Sequence, residues 1–433
     1  MLRTCLRKLE VENEHVITPK ATGQFRVLHT ADWHLGKMLD NESRDEEHAR
    51  FLAWLLGVVS EHSIDAIILA GDVFDNANPT QSAQKLYYNF VSELYRKGTC
   101  ELLVIAGNHD SVGQLEAPRQ VLECLKVRVV GQSPADPAER IFLLPSNRDP
   151  MLVVALVPFL RDSDLRRSMA GESEAESRAK VVAGIQDLYN STAEAALRLA
   201  ANLPVIVTGH LTVAGATGSD SERKIHIGGL GAVSPDVFPQ TFSYVALGHL
   251  HRPQEAEVGG RVRYAGSPIP LSFSESTDQK EVRILDVGPG GVVQQALPIP
   301  LFRRLAQIRT IYEGLPSTLE AFQPQAAELP TWVELVVETA PLDYDLNERV
   351  QELAAGRDFV VLKVIRENHD TQAALTGNGI DSVEDMLLNP QRVFAQLLKD
   401  KGLKEEGDEA GELKTTFNRL LEMVEQGTIE EMS

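Results

Sequence analysis

Five short apolar runs in this chain each end in a small residue followed by a side chain able to hold a metal. Residues 26–31 lead into Asp32 and His34, and residues 66–70 into Gly71 and Asp72. Residues 102–106 lead into Gly107, Asn108, His109 and Asp110. Residues 205–208 lead into Gly209 and His210, and residues 244–247 into Gly248, His249 and His251. Apolar runs of this length bounded by glycine predict buried strands. In open α/β sheets, ligands bind just beyond the carboxyl ends of strands. Convergence of Asp, Asn and His from five such exits therefore points to an α/β fold carrying one polynuclear metal site.

The segments between the runs fit helices that cover a sheet. Residues 45–61 place Phe51, Leu52, Leu55, Val58 and Val59 on one side, and residues 80–97 place Leu86, Phe90 and Leu94 at four-residue steps. Tyr87, Tyr88 and Phe90 read as core or dimer contact rather than a base-stacking platform. Residues 151–157 predict a strand stopped by Pro158. Residues 171–201 predict one long helix, and 261–264 and 281–286 predict strands with one wet face. Residues 1–24 carry no period and read as an extension without structure. The main domain is expected over 25–301. A second, small α+β unit is expected over 302–370, with strands at 332–337 and 359–364 and a helix at 347–355. Residues 371–381, with Thr376–Gly377–Asn378–Gly379, read as a linker. Residues 382–433 read as two amphipathic helices. Their place beyond a glycine-rich linker favours an external partner.

Composition narrows the setting. The chain has 433 residues, enough for two or three domains, with 43% apolar and 24% charged residues, as in ordinary globular proteins. It contains no apolar run long enough to span a membrane. Arg3, Arg7 and Lys8 are followed by Glu10, Glu12 and Glu14 rather than an apolar core, which argues against a secretory peptide. Cys5, Cys100 and Cys124 show no paired spacing, so a reduced, cytoplasmic setting is expected. The net charge of −20 argues against a wholesale nucleic-acid-binding surface. Bound cations offset carboxylates, however, and a local basic patch or a partner can supply phosphate contacts. Candidates for such contacts are Arg161, Arg166, Arg167, Arg223, Lys224, Arg252, Arg303 and Arg304; singly, each reads as a solvated side chain.

Seven residues are candidate ligands: Asp32, His34, Asp72, Asn108, His210, His249 and His251. In an extended strand, residues two apart face the same side. Asp32 with His34, and His249 with His251, are thus expected to grip one ion each, with Trp33 and Leu250 turned away. The glycines at the strand exits permit positive φ and close backbone approach. A carboxylate can bind two ions at once, so Asp72 is the natural bridge. Oxygen and nitrogen ligands without thiolate suit Mn(II), with Fe(II) or Zn(II) as alternatives. Two ions about 3.5–4 Å apart clamp an in-line displacement at phosphorus and lower the pKa of a bound hydroxide toward ~7. His109 is placed to protonate the leaving oxygen or stabilise developing charge, and Asp110 to orient its ring. Taken singly, Asp or Asn after a strand is usually a helix cap, and a lone His is usually a satisfied core residue. Five of the eleven histidines, however, sit at these exits, which independent caps do not explain. His15, His48, His62 and His369 read as surface residues, and His226 stays open.

The ordered motifs Asp-x-His, Gly-Asp-x-x-Asp, Gly-Asn-His-Asp, Gly-His and Gly-His-x-His resemble those of the calcineurin-like metallophosphoesterases. The resemblance implies a β-sandwich flanked by helices with a dinuclear site at the strand ends. Residues 29–36, 71–75 and 246–253, with 219–231 and 264–268, are similar to a narrower group. These are the bacterial relatives of the eukaryotic double-strand-break repair nuclease, and the likeness spans about residues 25–426. It implies that Asp32, His34 and His251 hold one ion and Asn108, His210 and His249 the other. It further implies that Asp72 bridges them and that His109 is catalytic. Asp75, which stands where archaeal and eukaryotic relatives carry a His, is expected near the site with Asp110 and Arg252. The implied activity is Mn-dependent cleavage of DNA, exonucleolytic at double-stranded ends and endonucleolytic on single strands and hairpins. The implied assembly is a homodimer joined to an SbcC-type coiled-coil ATPase as a heterotetramer. Residues 302–370 would orient DNA as a capping domain, and 382–433 would dock on the ATPase. Two rivals stand beside this reading: a small-molecule phosphodiesterase or phosphatase with the same centre, and a non-catalytic DNA-end scaffold. Protein phosphatases of the superfamily carry Gly-Asn-His-Glu and an Arg-bearing Gly-Asp motif; here Asp110 and Asp75 fill those places.

Overall fold

All five runs are strands, but they are divided between two sheets. The computed structural model describes residues 17–367 apart from 99, 166–172, 220, 223–230, 325–326 and 339–344, together with Phe394, Leu413 and Phe417. One sheet runs from edge to edge through Gly291–Pro298, Glu281–Gly288, Phe25–Thr30, Ala66–Ala70, Glu101–Ile105 and Val127–Val130. Its last four strands are parallel. The other sheet runs through Gln254–Glu255, Val262–Tyr264, Phe242–Gly248, Val205–His210, Leu152–Ala155 and Ile141–Leu144. Its inner four strands are likewise parallel. Parallel neighbours leave their sheet at one edge, so each sheet gathers its exit loops on a single side.

Alternation along each strand sets the layers. Leu28, Ile67, Leu69, Leu102 and Val104 pack under the helices Asp45–Glu61 and Gln81–Lys97, against Phe51, Leu55, Phe90 and Leu94. Val27, Ile68, Leu103 and Ile105 point the other way and meet Leu152, Val154, Ile206, Tyr244 and Ala246 of the second sheet. Val153, Val207, Val245 and Leu247 then pack under the helix Glu174–Ala200 through Val181, Ile185 and Tyr189. The result is a helix–sheet–sheet–helix stack, the expected flanked sandwich. Truncating a residue such as Leu69, fully buried in it, costs about 2–5 kcal/mol. The helix starts are chemically marked. Thr80 Oγ1 accepts from Ala83 N at 3.2 Å, Ser173 and Glu176 form a capping box, and Asp45, Glu46 and Glu47 line the first turn of their helix.

A three-stranded sheet follows, in the order Arg303–Ile311, Leu329–Glu338, Phe359–Glu367. The chain divides into two compact units. One takes Met1–Ile308, Leu319–Leu335 and Val350–Val364; the other takes Arg309–Thr318, Val336–Arg349 and Ile365–Ser433. In the second unit, Arg349 lies over the Tyr312 ring at 4.6 Å and donates to its hydroxyl at 2.6 Å. The Phe394 and Phe417 rings stack there with centroids 4.0 Å apart. The rest of the expected linker and terminal helices lies outside the described residues, as do Arg166, Arg167, Arg223 and Lys224. No helix among the described residues is long and apolar enough to cross a membrane.

Several expectations are corrected. Residues 17–24 are docked: Ile17 joins the core, and Thr18 O accepts from Arg26 Nη2 at 2.7 Å. His48, read as a surface residue, is fully buried, because it precedes Phe51 and Leu52 by three and four residues on the inward face of its helix. Arg303, a candidate phosphate contact, is buried; its guanidinium lies 4.0 Å over the Trp332 ring, and its Nε is 3.0 Å from Glu47. The strands Val127–Val130, Ile141–Leu144, Gly291–Pro298 and Arg303–Ile311 add to those expected.

Candidate metal centre

The exit loops meet because their backbones bend sharply just past the strands. Asp32, His34, Asp72 and His249 all have positive φ, at 51°, 46°, 48° and 98°. Such conformations strain non-glycine residues and concentrate at functional sites. The expected extended Asp-x-His and His-x-His geometry is therefore replaced by left-handed turns. Of the exit glycines, only Gly71 has positive φ. Gly107 and Gly248 are needed for space, since a Cβ would strike Asp72 at the first and the Ala70 carbonyl at the second.

All seven candidate ligands converge. Asp32, His34, Asp72, His210, His249 and His251 are at most 3% exposed, and Asn108 is half-buried. His249 N donates to Asp32 Oδ1 at 2.8 Å, which ties the second sheet to the first. Asp72 Oδ2 stands 3.3 Å from His210 Nε2 and 3.5 Å from His34 Nε2. The Nε2 atoms of His34 and His251 face each other at 3.2 Å, and Asn108 Oδ1 lies 3.0 Å from His210 Nε2. Two groups of potential ligand atoms, His34–Asp72–His109 and Asp32–Asp72–His210, each fit within 4.8 Å and share Asp72.

These atoms fit a cation. His210 Nδ1 donates to the Ala70 carbonyl at 2.9 Å, so a neutral ring has a bare Nε2, aimed at two acceptor oxygens. Asp32 Oδ2 is buried without a hydrogen-bond partner. Burial pushes the Asp32 carboxyl up to about 7, with His210 opposing and the Asp72 charge adding to the rise. Burial also works against a charged His210, yet Asp72 and Asp32 hold its imidazolium up to about 9. At Asp72, His210 and His34 outweigh burial and keep the carboxyl well below the usual range. His249 falls to about 3, first through burial and then through the charge of His210. A cluster that must draw a proton onto His210 to balance buried carboxylates is matched to added positive charge. The donors are all nitrogen and oxygen, which suits a first-row divalent ion.

The neighbours of the ligands hold the loops in place. His109 is 7% exposed; its N donates to Asp72 Oδ1 at 2.9 Å, and its Nδ1 donates to the Asp75 carbonyl at 2.6 Å. The carbonyl of Asp75 thus holds this ring, in place of the expected Asp110. Asp110 instead accepts backbone N–H bonds from Val73, Phe74 and Gly107, at 3.1, 3.0 and 2.9 Å. Burial, then the Asp72 charge, raises its carboxyl to about 6. The Asp75 carboxylate lies 3.3 Å from His34 Nδ1 and 3.2 Å from Lys37. Arg252 is held at Nε by Asp278, at 3.1 Å. Sequence reasoning missed Ser221, Glu222, Glu275 and Lys280, which surround His251. A Glu among serines in a short turn reads as solvated, and only the family-like stretch 219–231 hinted at the first two.

Two sheets whose strand ends gather Asp, Asn and His around one shared carboxylate define a metal-dependent phosphoesterase, and residues 25–253 match the calcineurin-like phosphoesterase family. Residues 301–401 match the SbcD C-terminal domain, described as the type 5 capsule protein repressor C-terminal domain. The SbcD subunit of the SbcCD nuclease of Escherichia coli K12 is 37% identical over 388 residues, covering 88% of this chain and 94% of the relative. Its counterpart in Rhodobacter capsulatus is 41% identical, covering 69% of this chain and 75% of the relative. That of Bacillus subtilis is 35% identical, covering 61% and 67%. The chain belongs to the SbcD nuclease family of calcineurin-like phosphoesterases, and is a phosphodiester hydrolase.

Proposed function

We propose that this chain cuts DNA with two divalent cations held side by side across Asp72, with Mn(II) as the working metal. One observation carries the reading: the Asp72 carboxylate belongs to both groups of potential ligand atoms. Asp32, His34 and His251 would hold one cation, and Asn108, His210 and His249 the other. The facing pairs His34–His251 and Asn108–His210 support that division, and Asp32, which also falls within reach of His210, stands between the two. When bound, the cations supply charge neutralisation at phosphorus and acidify water. The ring of His109, oriented by the bond from its Nδ1 to the Asp75 carbonyl, would deliver or receive a proton at the leaving oxygen. Asp110 fixes the backbone just after Asp72 and just before Asn108. Asp75 and Arg252 border the site as candidates for steering substrate.

The substrate class we assign is double-stranded DNA ends, single strands and hairpins, which implies a cytoplasmic setting. The relatives are named as one component of a two-part nuclease. We assign this chain the same kind of partner, an SbcC-type coiled-coil ATPase, engaged as a homodimer in a heterotetramer. Residues 302–370 would cap and orient the DNA, and residues 382–433 would dock on the ATPase. Partner and bound cations would offset the net charge of −20. The test assays the purified protein with Mn(II), with and without the ATPase, on a DNA hairpin and on bis(p-nitrophenyl) phosphate. Cleavage of both supports the reading. Hydrolysis of the small ester alone, even with the partner present, favours a small-molecule phosphodiesterase.

A further inference from the structure

Glu275 is fully buried on the short turn Phe273–Glu275, and its carboxylate is ringed by donors. Oε2 accepts from Lys280 Nζ at 2.6 Å, from Leu271 N at 3.1 Å and from Ser267 Oγ at 3.4 Å. Oε1 accepts from Ser219 Oγ at 2.9 Å and, closely, from the hydroxyl of Ser221. A group surrounded by donors and paired with a buried lysine is an ionised acceptor. Ser219 Oγ also lies 2.8 Å from Ser221 Oγ, but the carboxylate is the stronger acceptor and takes the Ser221 proton. Ser221 Oγ also lies 2.6 Å from His251 Nδ1, and there it can only accept. The same Nδ1 is 3.3 Å from Glu275 Oε1. The proton on the His251 ring therefore sits on Nδ1. Nε2 is left bare, 3.2 Å from Nε2 of His34. The main chain is pinned as well, since His251 N donates to Glu222 at 2.7 Å and His251 O accepts from Lys280 at 2.9 Å.

We propose that Glu275, acting through Ser221, is a positioning residue that fixes the tautomer and orientation of His251 and so presents its Nε2 to one of the two cations. The proposal rests on the two-cation reading above. Partners behind a ligating histidine carry about 10–100-fold in metal affinity. They act by fixing the ring and raising its basicity, without touching metal or substrate. His210 Nδ1 instead faces the Ala70 carbonyl, with no serine–glutamate pair behind it among the described residues, so the two cations would feel the change unequally.

The experiment titrates the full-length, metal-free protein with Mn(II) and follows free Mn(II) by electron paramagnetic resonance. Wild type should take up two ions per chain. Ser221→Ala and Glu275→Gln should each weaken one of the two by about 10–100-fold and spare the other. Ser221→Thr, which keeps the hydroxyl, should restore the affinity. Ring-nitrogen NMR should show wild-type His251 protonated at Nδ1, and mixed tautomers in Ser221→Ala. Glu275→Gln also leaves Lys280 without its charge partner. If that variant fails to fold, Ser221→Ala, which keeps the ion pair, decides alone. Two ions bound to Ser221→Ala with wild-type affinity overturn the proposal. Failure of wild type itself to bind a second ion overturns the two-cation reading instead.

Discussion

His210 Nε2 and Asp72 Oδ2 lie 3.3 Å apart with both residues buried, although they come from different sheets. Without a cation, a proton on His210 offsets the buried Asp72 charge; a bound cation would take over that role. Replacing Asp72 by Ala should therefore lower bound Mn(II) from two ions per chain to one or none and abolish turnover. The loss should exceed the about 10–100-fold typical of groups behind a ligand. Elemental analysis beside a hairpin-cleavage assay checks both. Two retained ions with intact turnover would remove Asp72 from the centre.

His109 donates its backbone N–H to Asp72, and its ring lies edge-on to His34 with centroids 4.6 Å apart, inside the cluster. His109→Gln should hold metal content near wild type and lower the cleavage rate by about 10²–10⁴. Stoichiometric metal binding with unchanged cleavage would assign the proton to another group.

Asp110 is a brace rather than a ring partner. Asp110→Ala leaves the N–H groups of Val73, Phe74 and Gly107 without acceptors in a buried place. At about 1–3 kcal/mol for each orphaned group, unfolding in urea should show a loss of about 3 kcal/mol or more. A loss below about 1 kcal/mol would show that the loops repack around the gap.

His29 gives a pH signature away from the ligands. Its Nε2 faces the Leu247 carbonyl at 3.2 Å and its Nδ1 the Tyr244 hydroxyl at 3.0 Å. Burial, with Arg283 and Arg263 nearby, lowers its pKa from 6.5 to about 3 despite the Leu247 contact. Between those values the unfolded chain binds a proton that the folded chain refuses. Stability from His29 is thus complete above pH 6.5 and is lost as pH falls toward 3, at about 1.4 kcal/mol per unit. His29→Gln should flatten the acid limb of a stability–pH profile by that slope. An unchanged slope would place the acid sensitivity elsewhere.

The strand runs were legible because parallel strands buried on both faces must be apolar from end to end, as Ala66–Ala70 is. The candidate ligands were legible because a small residue, glycine at four of the five, marks each exit. The division between two sheets was not, since nothing in Val205–His210 distinguishes its sheet from that of Ala66–Ala70. Side-chain direction at Asp32, His34 and His249 was not legible either. Alternation assumes extended backbone, and these residues leave it. His48 and Arg303 misled because polarity was read as exposure. Helical phase buries the first, and stacking on Trp332 buries the second. Glu275 gave no sign, because its partners 219, 221, 251, 267, 271 and 280 follow no periodic spacing and most are distant along the chain.

The first sheet brings Asp32, His34, Asp72 and Asn108 to the cluster, and the second brings His210, His249 and His251. Cations seated there would rivet one half of the sandwich to the other across a joint that is otherwise largely apolar contact with a few hydrogen bonds, such as His29 to Tyr244. Metal supply would then govern cohesion as well as chemistry. A starved chain should begin to part along this seam, with the amides near Ile206 and Tyr244 exchanging sooner than those beneath the outer helices.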